Sequence, residues 1–559
     1  MTASRAMAAA VVTAGAATAW AAQPPGRVAS APTAAEEEVA AARQAEKLLD
    51  EWRFDDARTA IAALVKAAPE AAPTMYVHGY QRFLEGDYDG AIRDFAGAVD
   101  AAPADPSARE MKNLATEAAA AIKEHREERS GHFLIRYPPE DAVLVPYARE
   151  ALEAAYAALH ADLGFEAAMP IRVEFYRSPS DLAAVSSLSQ AEVARTGTIA
   201  LCKWARLMVT TPRALAYGYP WLDSINHELV HYAVSSLTHD RAPVWLQEGL
   251  AKFLERRWRE PAGGRIPPAM EHLLAKALRT GKLVTFEAMH PSMAKLPSAE
   301  DATLAFAEVA NAVAYLHQQA GMAGLRSAIT RVEGGADARA AVADAAHQTW
   351  PEFERGWRAY MNAQHYHTFA AIDIPTTHIR KAAAIASRRK PSEEDAMSAS
   401  LKLAAPYKFL RLGNIMLRRN RPRAAAIEYE KGGKAVASAG PKAGTDPSAN
   451  WVFPVKLGRT YLALGEPDRA LKAVAPVQAL YPELFWPSLI AGEALLAKGQ
   501  YPDAIKELKA SLAMNPFDPR VHCALAEAYE KTQATSSPGG GDVAREQRFC
   551  KELAEGGGE

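Results

Sequence analysis

The sequence predicts an α+β protein in which a small sheet with helices sits between N- and C-terminal all-α helical-repeat segments. Three observations lead there. The chain has 559 residues, 49% hydrophobic and 23% charged. It therefore exceeds one compact domain and has the composition of folded globular protein. A 34-residue spacing recurs near both ends. The middle block instead carries short alternating segments followed by helix-forming stretches. Abundant alanine, with Leu, Glu and Arg, favours helix over much of the remainder.

The repeat is clearest in the C-terminal third. Gly458, Tyr461, Gly465, Ala470 and Pro482 return as Gly492, Leu495, Gly499, Ala504 and Pro516, and a fading copy places Ala526 and Tyr529. Each unit reads as a helix pair. Small residues let the two helices approach, large ones fill the groove, and proline ends the second helix. These spacings and residue types resemble tetratricopeptide repeats. An earlier unit spans 407–436 (Gly413, Ala425, Tyr429) and joins the next through a loosened stretch at 438–444. Near the N-terminus, Phe54, Ala57 and Pro69 return as Tyr88, Ala91 and Pro103. Two units thus cover roughly 38–105, and a charged helix ending around 123–129 completes a segment 38–128. The C-terminal repeats occupy 400–535. A Ser/Pro/Gly linker and a last short helix fill 536–559.

The block at 130–365 has another texture. Residues 132–137 and 171–176 alternate like strands, and 198–201 and 207–210 read as two more joined by a short turn. An amphipathic helix at 145–163 stops at Gly164. Helices follow to about residue 362.

The N-terminus reads as a secretory signal peptide over residues 1–22. Arg5 precedes a small-residue apolar stretch at 6–20, then Ala19-Trp20-Ala21 and Gln23-Pro24-Pro25-Gly26. The expectation is an exported, periplasmic or extracellular chain; a disordered Ala-rich tail is the alternative. No body segment has about 20 consecutive apolar residues, so no integral membrane span is expected. A net charge of −2 argues against a general polyanion binder, and no nucleic-acid motif is present. Three cysteines, Cys202, Cys523 and Cys550, form no disulfide framework and read as buried or incidental thiols. Cys523 and Cys550 could pair if the C-terminal helices fold back on each other.

The chemistry-bearing motif is His227-Glu228-Leu229-Val230-His231. On a helix, a spacing of four puts both imidazoles on one face, about 6 Å apart at Cβ, close enough to share one ion. Imidazole suits Zn²⁺, and a catalytic site needs three protein ligands plus an open position. Glu228 sits at the edge of the same face, where it can accept a proton. Asp223 or Ser224 can cap this helix. A polar turn at 235–241 follows, and Pro243 can open a second helix at 244–255. There Glu248 lies among Leu246, Leu250, Phe253 and Leu254, where an unpaired carboxylate is costly and a metal would satisfy it. Gly249 and Ala251 would let the second helix approach the first. The bland alternative for the five-residue motif is a surface helix with two histidines.

With P-x-W-L-x-E-G-L-A about a dozen residues on, the pattern resembles the peptidase MA-like domain of the gluzincin metallopeptidases, over roughly 130–362. The late segment 350–360, Trp350-Pro351-Glu352 through Tyr360, is similar to the closing helix of such domains. The resemblance implies a zincin-like fold, zinc ligands His227, His231 and Glu248, Glu228 as the base, and a peptide or protein substrate. One departure stands out: Phe306 occupies a place where a hydroxyl-bearing tyrosine is expected, although Tyr315-Leu316 remains. That leaves the transition-state donor open among Tyr217, Tyr219, Tyr232, His239 and Arg241, each of which also reads as ordinary packing or solvent-exposed. By analogy with this class, a strand near Ile199 or Met208 could pair with an extended peptide.

Two functions compete. One is zinc-dependent hydrolysis of peptide bonds. The other is a non-catalytic adaptor or assembly protein, with repeats that present grooves to protein partners and a structural or vestigial zinc. A structural site closes with a fourth protein ligand, and His239 is the nearby candidate.

Overall fold

The computed structural model describes residues 33–369 apart from 216, 265, 294 and 295, together with 372, 404–439, 449–532 and 540–555. The expected signal segment, most of the 438–444 connection and the first part of the 536–542 linker lie outside these.

The N-terminal helices are α1 (Ala34–Asp50), α2 (Phe54–Ala67), α3 (Ala72–Glu85), α4 (Tyr88–Ala101) and α5 (Pro106–Ile122). Asp87 and Asp105 accept backbone N–H groups at the starts of α4 and α5. Gly86, at φ 84°, ends α3 in the left-handed region that glycine tolerates. Apolar positions along α3 to α5 converge as Phe83, Tyr88, Ala91, Phe95, Ala115 and Ala118.

Here the structure departs from the sequence reading. The charged stretch at 123–129 does not end a helix: Arg126–Ser130 forms strand β1, antiparallel to β2 (Phe133–Tyr137). Its charges suit an edge strand, where they stay in water and discourage further pairing. Arg136 reaches Glu127 at 3.0 Å, and Arg149 reaches Glu128 at 3.2 Å. The sheet begins inside the span assigned to the linking helix.

After α6 (Val145–Leu163) come β3 (Ile171–Tyr176), the short helices α7 (Pro179–Ala184) and α8 (Gln190–Thr196), and the hairpin β4 (Ala200–Lys203) and β5 (Arg206–Thr210). Trp204 and Ala205, both with positive φ, make the two-residue turn of that hairpin. The strand order is β1-β2-β3-β5-β4. β2, β3 and β5 are parallel, and antiparallel strands lie at both edges. One face presents Ile135, Val173, Phe175, Leu207 and Val209 to the main core. The alternation in β3 suggests water on the other side. Instead all of β3 is buried, because the N-terminal repeats cover that face.

Helices α9 (Trp221–Thr238), α10 (Val244–Leu254), α11 (Pro268–Thr280), α12 (Ala299–Glu333, broken at Gly321), α13 (Ala338–Ala345) and α14 (Trp350–Ala363) complete the middle block. The C-terminal pairs are α15 (Ala404–Arg418) with α16 (Pro422–Ala439), α17 (Ala449–Ala463) with α18 (Pro467–Leu480), α19 (Phe485–Ala497) with α20 (Tyr501–Leu512), and α21 (Pro519–Lys531) with α22 (Gly540–Glu555). A Cβ on Gly413 would lie 2.2 Å from the Tyr429 ring, and one on Gly492 would lie 2.5 Å from Leu508. The repeat glycines therefore mark close helix contacts. Cys523 and Cys550 form a disulfide between α21 and α22, so the pairing left open by the sequence occurs, and reading these two as incidental thiols is corrected. Cys202 is a free thiol.

Candidate metal centre

α9 starts directly after Pro220, and no side chain caps it. Asp223 does not cap the helix. It is buried and takes Arg259 at 2.7 Å and the Trp258 indole N–H at 3.1 Å. Ser224 donates back to the Pro220 carbonyl at 3.0 Å. Ile225, Leu229, Val230 and Val234 sink into the core, which turns His227 and His231 toward α10.

α10 follows a tight turn in which His239 and Asp240 have positive φ. Gly249 makes a close approach, but to α12 and not to α9: a Cβ there would lie 2.8 Å from the Val309 carbonyl oxygen. The contact seats α10 on α12 and aims Glu248 at the two histidines.

Among the described residues, His227, His231 and Glu248 are the group able to hold a metal ion. His227 Nε2 lies 3.1 Å from His231 Nε2 and 3.2 Å from Glu248 Oε2, and His231 Nε2 lies 3.3 Å from the same oxygen. Zinc bonds of about 2.0–2.1 Å in a tetrahedral site set neighbouring donor atoms roughly 3.3 Å apart. The triangle of donors matches that edge, so the residues present fit the ion.

Both outer ring nitrogens are held. His227 Nδ1 faces Glu255 Oε2 at 3.1 Å, and Lys252 Nζ meets both Glu255 oxygens at 2.8 Å. His231 Nδ1 faces Gln247 Oε1 at 3.3 Å. Gln247 donates to Ser235 Oγ at 3.1 Å, which donates to Asp240 at 2.9 Å. Such outer partners fix the ring orientation and leave Nε2 turned inward. Sequence reading missed Glu255 and Gln247. A signal existed for Glu255: it stands seven residues after Glu248, two turns along the same helical face.

The electrostatics agree. Burial opposes a charged His227, yet hydrogen bonds to Glu248 and Glu255 outweigh it and push the imidazole up to about 10. Burial likewise opposes the Glu255 charge, but Lys252 and His227 bring it to about 2. Glu248 is held well below the usual carboxylate range, because the histidines outweigh its burial. The three donors thus form a site that demands a positive charge at its centre. Glu228 differs: burial raises its carboxyl, against the pull of His231 and His227.

The Glu228 carboxyl faces the backbone N–H of Cys202 in β4, which lowers it slightly against the effect of burial. The ladder explains the geometry. Thr210 donates to the Ile199 carbonyl at 2.7 Å, so 199, 201 and 203 pair with β5, whereas Ala200 and Cys202 turn their backbone groups to the free edge. That edge faces the Glu228 carboxyl.

The remaining sequence candidates are engaged elsewhere. Tyr232 packs on Trp52 and Phe165. Tyr219 donates to the Thr210 carbonyl. Tyr217 packs edge-on against both Trp451 and Trp486. Arg241 meets the Glu333 carbonyl and Glu51. His239 lies 3.7 Å from Glu333, not at the cluster. The Phe306 ring stands 6.5 Å from that of His227, beside the site as expected, with no hydroxyl to offer. Tyr315 bonds Gln348 at 3.0 Å.

Comparison with known proteins agrees with the layout. Residues 151–363 match the family described as Peptidase MA superfamily, and residues 492–533 match the TPR repeat. No curated protein matches the chain. A crystal structure of the yeast Tom70 is 11% identical over 94% of this chain and 92% of that one, with a TM-score of 0.18; so low a score carries no argument. The chain therefore contains a Peptidase MA superfamily domain at 151–363 and a TPR repeat at 492–533.

Proposed function

We propose that this protein is a zinc-dependent peptidase, with His227, His231 and Glu248 as ligands and Glu228 as general base. The observation that carries the reading is the convergence of three donor atoms 3.1–3.3 Å apart beside a buried carboxylate at a free strand edge. Zinc bound there supplies Lewis acidity toward a carbonyl and lowers the pKa of water to about 7. The outward backbone groups of Ala200, with the Cys202 carbonyl, bind an extended peptide as an added strand and orient its scissile bond. Glu228 takes the proton from the attacking water and delivers it to the leaving amine. Burial raises its carboxyl and so makes it a better proton acceptor than an exposed glutamate. Glu255 and Gln247 hold the two imidazoles in register.

The test is metal content together with cleavage of a peptide library. Wild type should carry near one zinc per chain and cleave, and Glu228→Gln should keep the zinc and lose cleavage by roughly 100-fold or more. Unchanged cleavage by that variant would remove Glu228 from the mechanism. The TPR match at 492–533 favours a second reading, an adaptor that binds protein partners through its repeats. Zinc uptake without cleavage of any peptide would support it.

The Cys523–Cys550 disulfide supports export to an oxidising compartment, in line with the signal-like N-terminus. Recovery of the protein only from the reducing cytoplasm would exclude this.

A further inference from the structure

Residues 211–220 join β5 to α9 and so lead directly into the helix that carries His227, Glu228 and His231. The C-terminal repeats hold this connection and the first residue of α9 at Arg213, Tyr217, Gly218, Tyr219 and Trp221. The Arg213 guanidinium lies 4.0 Å over the Phe517 ring. The Tyr217 ring meets Trp451 and Trp486 edge-on, each at 5.6 Å, and those two indoles stack 5.1 Å apart. Gly218 has φ 68°, and a Cβ there would lie 2.2 Å from the Met514 carbonyl oxygen. Tyr219 donates its backbone N–H to that same carbonyl at 3.1 Å. Trp221, the first residue of α9 and fully buried, donates its indole N–H to the Leu512 carbonyl at 3.2 Å.

These partners share one place in the array. Trp451 and Trp486 stand at the starts of α17 and α19, and Leu512, Met514 and Phe517 lie where α20 gives way to α21. They form the rim along which one helix pair hands over to the next. The contact is also more than side-chain packing. A main-chain hydrogen bond and a glycine pressed onto a carbonyl fix the path of the connection, not merely its burial. The uncapped start of α9 receives from the array the order that a capping side chain supplies elsewhere.

We propose that the C-terminal repeat array is a positioning element for the metal centre. Its rim holds residues 213–221 and thereby sets where α9 presents His227, Glu228 and His231. Trp486 and Gly218 are positioning residues that act through α9. The zinc arm of the test rests on the peptidase reading, whereas the exchange arm does not.

The experiment is amide hydrogen exchange on the full-length protein, with zinc affinity measured by chelator competition. Trp486→Ala should raise exchange over 217–231 by about tenfold or more while β2 and β3 keep wild-type protection, because only the local opening changes. Its zinc affinity should fall about tenfold, the lower end of what loss of ligand positioning costs. Trp486→Phe, which keeps a ring for Tyr217, should restore most of both. Gly218→Ala is an independent probe and should raise exchange over the same residues through a single methyl. Unchanged exchange over 217–231 in folded Trp486→Ala, or in folded Gly218→Ala should the first fail to fold, would overturn the proposal. A wild-type chain that takes up no zinc would defeat the peptidase reading and leave the exchange result standing.

Discussion

The N-terminal repeats meet the sheet through buried charge, whereas the C-terminal repeats meet the connection into α9 through rings and main chain. Glu174 and Arg206 are 0% exposed and 3.0 Å apart, and Tyr88 of α4 donates to Glu174 at 2.8 Å. Arg172 reaches the Leu84 carbonyl at 2.6 Å, and Arg136 reaches that of Gly86 at 3.2 Å. Three guanidiniums thus surround one carboxylate, and the surplus positive charge is met by carbonyls at the C-terminal end of α3, the negative end of that helix. Burial alone would raise the Glu174 carboxyl, yet Arg206 and Arg172 bring it to about 2. The Tyr217 contact has no comparable charged centre. The contrast teaches that one interface is all-or-none and the other graded. A half-removed ion cluster leaves a charge stranded in the interior, whereas a trimmed ring loses only its own contacts.

The largest effect should follow from breaking the cluster. Glu174→Ala strands Arg206 and should cost about 3–5 kcal/mol of stability in denaturant titration. A cost below about 1 kcal/mol would show that the carbonyls alone satisfy the arginines. The same carboxylate makes a pH prediction. Its folded value lies below the usual 4.5, so its stabilisation is complete above pH 4.5 and is lost as pH falls through about 2. Stability measured across that window should fall less steeply in Glu174→Gln than in wild type. Tyr217→Leu removes two ring contacts and should cost about 1–3 kcal/mol, with no change in acid sensitivity; a steeper acid slope would undo the contrast between the interfaces. The smallest effect belongs to Glu51 and Arg241, a partly exposed pair at 3.6 Å between the N-terminal repeats and the α9–α10 turn. Glu51→Gln should change stability by less than about 1 kcal/mol.

What the sequence reveals follows the same division. His227, His231 and Glu248 are legible because they sit on two consecutive helices whose faces are set by local periodicity. The strands β2, β3 and β5 and the helix pairs are legible for the same reason. Arg172, Glu174 and Arg206 are not legible as a cluster, because their burial depends on α3 and α4, over 80 residues away in the chain. Alternation in β3 shows two faces without showing what covers the second. β1 was hidden by its charges, which serve an edge strand as readily as a helix. Gln247 escapes because its role exists only once α10 lies across α9, whereas Glu255 was signalled by its place two turns beyond Glu248.

The last helix pair shows where stacking turns back. A helical stack leaves one face of each unit for the next, and an uncovered face invites growth by addition or exchange between molecules. α22 does not leave its inner side open. Glu546 accepts from Tyr147 of α6 at 2.7 Å and faces His522 at 2.6 Å. Phe549 lies against both rings, and Cys550 is tied to α21. The inner face of this helix is thus folded onto the molecule's own middle block. The inner side of the last described helix pair is therefore closed by intramolecular contact, and the side of α22 left to water carries Arg548, Lys551 and Glu552, charges that discourage addition of another unit.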